Sequence, residues 1–246
     1  MTPKLIRKTR SLIEWLVLAF YAYILHRDYI TGFRINSVPG IERIGSEYGG
    51  WLVPVNQIPR KSVCYLVGVG EDITFDLGLI ARFDSEVFAF DPTPRAKRHV
   101  ENHAKAKPAF HFYNYGIWSR DEIIRFYAHA NPASTSFSIT NLHQTVDFFE
   151  APCRRLSSIM RELGHQKLDI LKLDVEGAEY EVIDSILEDR IDIDVLFVEY
   201  DEFHSKRYEG YCERIRGSVR KLQAHGYQLV AVKPKCNYTF VKTVGS

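Results

Sequence analysis

Cysteine is scarce here. The four residues Cys64, Cys153, Cys212 and Cys236 are far apart, and no C-x-x-C pair occurs. A zinc knuckle and a thioredoxin-type dithiol are thereby excluded, and a chain of this size does not depend on a disulfide frame. Free thiols in a reducing, cytoplasmic setting are expected. An excess of one charge is also lacking. Lys and Arg number 32 against 31 Asp and Glu, a net charge of +1, so no global basic field exists to hold nucleic acid. There is no G-x-x-x-x-G-K-[ST] loop for a polyphosphate, no internal repeat and no low-complexity tract. What remains is ordinary for a globular protein: 246 residues, 46% apolar, with 14 Tyr and 15 Phe. That is enough for one α/β domain with a large core, or one domain plus a short appendage.

The N-terminus differs from the rest. Lys4, Arg7, Lys8 and Arg10 carry four positive charges with no acid among the first ten residues. Leu12 to Leu25 is apolar apart from Glu14, and its uncharged part, Trp15 to Leu25, is 11 residues long. A bilayer span needs roughly 20. Three readings stay open: a helix docked on its own domain or on a partner, a monotopic anchor with the basic run on anionic lipid, and a membrane span. Residues 1–50 are expected to form a basic and apolar helical extension, with partner or membrane contact through residues 1–28. The main domain is expected over residues 51–246.

From Lys61 onward strands and helices alternate. Strands are expected at Ser62–Val67, Glu86–Phe90, Ala109–Tyr115, Ile123–Tyr127, Leu168–Leu173 and Asp194–Val198. Helices are expected at Phe75–Arg82, from Thr93-Pro94 to about Lys105, Arg155–Leu163 closed by Gly164, Ala178–Leu187, and Lys206–Ala224. Thr93 followed by Pro94 is an N-cap with proline at the first helical position. Tyr227–Val232 and Tyr238–Val241 close the chain as an antiparallel pair. Strands separated by helices make a parallel sheet. A terminal hairpin that reverses one strand is the pattern of a Rossmann-like, seven-stranded class I methyltransferase sheet.

Open α/β sheets bind ligands beyond the carboxyl ends of their strands. Four ends carry marked residues. Gly68-Val-Gly70-Glu71-Asp72 combines bare backbone with carboxylates suited to a cationic ligand. Asp91 stands where a carboxylate accepts ribose hydroxyls. Gly116 and Ile117 are a small and an apolar residue able to flank an adenine ring. Asp174-Val-Glu176-Gly177 follows the expected central strand. Each has a plainer reading: a turn glycine, a helix cap, or charge at a helix N-terminus. Their joint occurrence at successive strand ends is the informative observation. An acid-lined first loop repels pyrophosphate and suits a sulfonium and amino-acid moiety.

Three segments carry a family resemblance: Gly68-Val-Gly-Glu-Asp-Ile-Thr-Phe-Asp76, Phe88-Ala-Phe-Asp-Pro-Thr-Pro94 and Ile170-Leu-Lys-Leu-Asp-Val-Glu-Gly-Ala-Glu179. Over about Ser62 to Val241 the chain resembles the FkbM-type methyltransferases. The resemblance implies S-adenosylmethionine as cofactor and a hydroxyl on a sugar or small natural product as acceptor. Gly68, Gly70, Glu71 and Asp72 would line the methionine end, with Asp174 beside them. Asp91 would hold the ribose, and Gly116 and Ile117 the adenine. Leu66 departs from the acidic residue that many members carry at its position.

Methyl transfer to a hydroxyl gains from a base near the acceptor. Asp174, Glu176, Glu199 and His204 are the candidates, with Asp174 first. Asp174 and Asp201 are too few ligands for a metal, so none is expected. The Ser134-to-Ser138 loop is a candidate contact for a polyhydroxylated acceptor. Two other classes compete: a non-catalytic nucleotide-binding module and an NAD(P)-dependent reductase. Tyr238 and Lys242 spell Y-x-x-x-K, but in a strand residues four apart are separated by about 13 Å. No (Asn/Asp)-Pro-Pro-(Tyr/Phe) run follows the fourth strand, as a nucleic-acid amino-methyltransferase would show.

Overall fold

The computed structural model describes residues 20, 24–28, 30–104, 107–128, 137–139, 141, 145–175, 177–200, 210–233 and 236–243. Strands β1 (Ile41–Ile44) and β2 (Trp51–Pro54) come first. Next are β3 (Val63–Val67), α1 (Thr74–Phe83), β4 (Glu86–Phe90), α2 (Pro94–His103) and β5 (Phe110–Tyr113). A second group of strands follows, β6 (Gly116–Trp118), β7 (Glu122–Ala128), β8 (Phe137–Ser138) and β9 (Phe148–Arg155). The chain continues through α3 (Leu156–Leu163), β10 (Lys167–Leu173), α4 (Glu179–Glu188) and β11 (Asp192–Glu199). It ends with α5 (Tyr211–Ala224), β12 (Tyr227–Lys233) and β13 (Asn237–Lys242).

Seven strands form the main sheet in the order β12-β13-β11-β10-β3-β4-β5. The pairs from β11 to β5 are parallel, and β13 runs antiparallel to both its neighbours. This is the seven-stranded sheet with one reversed strand expected from the terminal hairpin. Its inner strands read as continuous apolar runs because both faces are covered. One face packs Tyr65, Leu171 and Val198 against Ile159 of α3, Val182 of α4 and Val219 of α5. The other packs Leu66, Ile170 and Phe197 against Phe75 and Leu79 of α1 and Trp51 of β2.

Local signals act where they were read. The Thr93 side chain accepts from the Ala96 N–H, with Pro94 opening α2. Gly164 closes α3 at φ +77°.

Three features differ from the sequence reading. The expected strand Ala109–Tyr115 is shorter: β5 stops at Tyr113, and Gly116 opens β6 in a separate four-stranded sheet, order β6-β9-β7-β8. Strand β9 is a further difference: it runs through Pro152, a residue that argues against a strand in the sequence, and pairs with β6 and β7. The β1–β2 hairpin, whose strands have four residues each, is another. The expected division at residue 50 cuts through this hairpin. Ile30 lies in the main core, and buried Asp28 accepts a hydrogen bond from the Tyr238 hydroxyl at 2.8 Å. The described residues from Asp28 to Gly50 therefore belong to the folded domain, since their burial depends on it. Most of Leu12–Leu25 lies outside the described residues. Among the described residues no helix is long and apolar enough to cross a membrane.

Candidate active site

The parallel pairing brings the carboxyl ends of β4, β3, β10 and β11 side by side. Gly68 leaves β3 at φ +82°, and a Cβ there would lie 2.1 Å from the Asp174 carbonyl oxygen. Only glycine lets these two strand ends approach so closely. Gly70, at φ +56°, has open space where a Cβ would be. Bare backbone therefore faces room for a ligand at the first loop, with Glu71 exposed beside it.

Asp91 is 5% exposed, and its carboxylate is used by the chain itself. One oxygen accepts from the Val69 and Gly70 N–H groups at 2.9 and 3.0 Å. The other accepts from the Thr93 N–H and hydroxyl at 2.8 and 2.6 Å. These four donors match the four acceptor positions of a carboxylate. Asp91 thus shapes the first loop, and Asn114 donates to its carbonyl. Asp72 is also occupied. It accepts from the Thr74 N–H and hydroxyl and from the Ser46 hydroxyl of the β1–β2 turn. Burial opposes its ionisation, but these bonds hold Asp72 below the usual carboxylate range. Its role is to staple the hairpin to the loop.

The residues expected to flank the adenine are placed in β6, where Ile117 is 1% exposed and packs in the core. Gly116 is small for a different reason: a Cβ there would meet the Cys153 sulfur at 2.6 Å. Both sit in β6 because the chain has already left the main sheet.

The central charges surround Lys172, which sequence reading passed over. Its Nζ donates to the Gly68 carbonyl at 2.6 Å and to Asp174 Oδ2 at 2.9 Å. Glu199 ends β11 and accepts from Asn237 Nδ2 at 3.2 Å and from the Cys236 sulfur at 3.4 Å. Burial, then the Asp174 charge, pushes the Glu199 carboxyl up to about 7 against the pull of Lys172. Asp76 of α1 is buried, and one of its oxygens has no hydrogen-bond partner. Burial pushes it up to about 6, again opposed by Lys172. The structure thus brings Gly68, Gly70, Asp174 and Glu199 to one region, with Lys172 and Asp76 added. Glu176, His204, Asp201 and Ser134 to Ser136 lie outside the described residues, and Ser138 is buried in β8. Among the described residues no group of three His, Cys, Asp or Glu side chains is placed to hold a metal ion. A cavity of about 440 Å³ lies between the ends of α3 and α4, lined by Arg161, His165, Asp189 and Arg190. It is at the opposite ends of β10 and β11 from these carboxylates.

The methyltransferase FkbM domain matches residues 70–229, and the chain belongs to that family. S-adenosylmethionine is the cofactor that the family implies. The open backbone at Gly70 and the exposed Glu71 beside it fit a cationic sulfonium and amino group. Similar curated proteins include the probable methyltransferase-like protein 24 of Rattus norvegicus, 32% identical over 126 residues. The human protein of that name is 29% identical over 133 residues. These alignments cover 51% and 53% of this chain but only 28% and 30% of those proteins. Among solved structures, a Methanococcus jannaschii fibrillarin pre-rRNA processing protein aligns at TM-score 0.49 and 11% identity, over 78% of this chain and 70% of its own. Aeropyrum pernix fibrillarin with natively bound S-adenosyl-L-methionine aligns at 0.42 and 9%, over 84% and 83%.

Proposed function

We propose that this domain methylates a hydroxyl of a sugar or other small natural product, with Glu199 taking the hydroxyl proton. The observation that carries the reading is the position of Glu199, which ends β11 at the carboxyl edge of the sheet beside the Lys172–Asp174 pair, where burial raises its carboxyl. A hydroxyl is a poor nucleophile, and a base poised near the working pH gives it the most help. S-adenosylmethionine supplies an electrophilic methyl group on a sulfonium centre. The chain's own residues do the rest. Asp91 and Asp72 fix the loop that presents Gly70. Asp174, engaged by Lys172, orients the strand end and adds negative charge. Glu199 accepts the proton. The balanced net charge favours a small or glycan acceptor over nucleic acid. A cytoplasmic location, with residues 1–28 contacting a partner or membrane, belongs to the same proposal. It draws on the exposed apolar side chains Phe20, Ile24 and Leu25.

The test uses the full chain, methyl-labelled S-adenosylmethionine and a panel of sugars and polyols. Label is expected in an alkali-stable ether. Glu199→Gln should lower kcat by roughly 10²–10⁴, the range of lost acid–base catalysis, with S-adenosylhomocysteine affinity nearly unchanged. Label found on an amine, or full kcat in the variant, overturns the reading.

A further inference from the structure

Lysine is among the residues almost never fully buried without a partner, and Lys172 is 7% exposed in the central strand. Its placement follows from the strand period. Lys172 lies on the same face of β10 as Ile170, where the Trp51 ring centre is 6.0 Å from its Nζ. Removing an ammonium from water is costly, and here three carboxyl groups on three elements offset it: Asp174 after β10, Asp76 on α1 and Glu199 on β11. They hold Lys172 above the usual lysine range even though burial pulls the other way. Its hydrogen bonds are distributed unequally. The near ones go to the Gly68 carbonyl and Asp174, with the Val67 carbonyl at 3.5 Å.

We propose that Lys172 is a positioning residue that ties the Gly68 carbonyl of the first loop and the Asp174 carboxylate into one unit beside Glu199. This rests on the methyltransferase reading of the site. It has two consequences. The loop that meets the cofactor and the strand end that meets the acceptor move together. The protonation of Glu199 also depends on Lys172, alongside the other groups that face it: Asp174 from β10, and Cys236, Asn237 and Lys233 from the terminal hairpin.

Lys172→Met in the full chain tests both consequences, with S-adenosylhomocysteine as probe. ¹³C-glutamate labelling gives the titration of Glu199, its resonance assigned with Glu199→Gln. In the folded variant, affinity should fall tenfold or more, and the Glu199 midpoint should rise by at least half a pH unit because the facing cation is gone. Affinity within twofold, or an unmoved midpoint, overturns the proposal. If Lys172→Met does not fold, Asp174→Asn tests the same unit from the other side. It should weaken S-adenosylhomocysteine and lower the Glu199 midpoint, and no change in either overturns the proposal. Wild-type protein that fails to bind S-adenosylhomocysteine overturns the site reading and this proposal together. Wild-type binding that Lys172→Met leaves unchanged overturns only the role of Lys172.

Discussion

At the residue scale, several side chains at the strand ends serve the chain before they can serve a ligand. Asp91 receives four donors within the loop, so Asp91→Ala should act twice. It leaves the buried Val69 N–H and the half-buried Gly70 N–H without their acceptor, lowering stability by about 1–3 kcal/mol. It also weakens S-adenosylhomocysteine, because the loop loses its shape. Denaturation and calorimetry on the same variant separate the two effects. Asp76 gives a pH test. Its carboxyl titrates near 6 in the folded protein, against 3.8 ordinarily, because of burial. The folded state therefore binds this proton more tightly than the unfolded chain does. Ionising Asp76 costs stability above about pH 6, and the cost vanishes as pH falls through about 4. Asp76→Asn should accordingly raise stability at pH 8 by about 1–3 kcal/mol and lose that advantage in acid. Chemical denaturation at pH 8, 6 and 4 checks the sign.

At the element scale, the second sheet depends on the approach of β6 to β9. A Cβ on Gly116 would lie 2.6 Å from the Cys153 sulfur and 3.2 Å from Phe126. Gly116→Ala should therefore cost about 1–3 kcal/mol through overpacking. Adding Cys153→Ala should recover part of that loss, a coupling that a double-mutant cycle measures. Equal losses with and without Cys153→Ala would show that the clash is not with the sulfur. The β1–β2 hairpin makes a comparable contact on the other side. The Ser46 hydroxyl reaches Asp72, while Lys233 donates to the Glu47 and Tyr48 carbonyls. The turn between β1 and β2 thus bridges the first loop and the end of β12.

At the scale of the whole molecule, Asp28, Ile30 and Thr31, before the first strand, are buried in the folded domain. Asp28 accepts from the Thr31 N–H and hydroxyl and from the Tyr238 hydroxyl. Burial, together with the Asp28 charge, raises the Tyr238 phenol well above its ordinary range. Asp28→Ala should cost about 1–3 kcal/mol by leaving that hydroxyl unsatisfied. Deleting residues 1–35 should cost more, since Ile30 goes with it. Thermal unfolding in which both variants match wild type would show that the segment contributes nothing to the fold.

The sequence by itself determined the main sheet, because continuous apolar runs, Thr93-Pro94 and Gly164 are local signals that each act within a few residues. It also determined that Gly68, Gly70, Asp174 and Glu199 come together, since parallel strands bring their carboxyl ends to one edge. Only the tertiary structure decided the rest. Whether a carboxylate is open or already filled depends on donors from distant segments, as with Ser46 on Asp72. Gly116 and Ile117 resembled a strand end, but their partner is Cys153-Arg154, 37 residues away in sequence. Lys172 was legible in part: a lysine inside an apolar strand, two residues before Asp174, lies on the same side of the chain. Its pairing with Gly68, 104 residues away, came only with the sheet, because a buried cation is specified by whatever the fold packs around it.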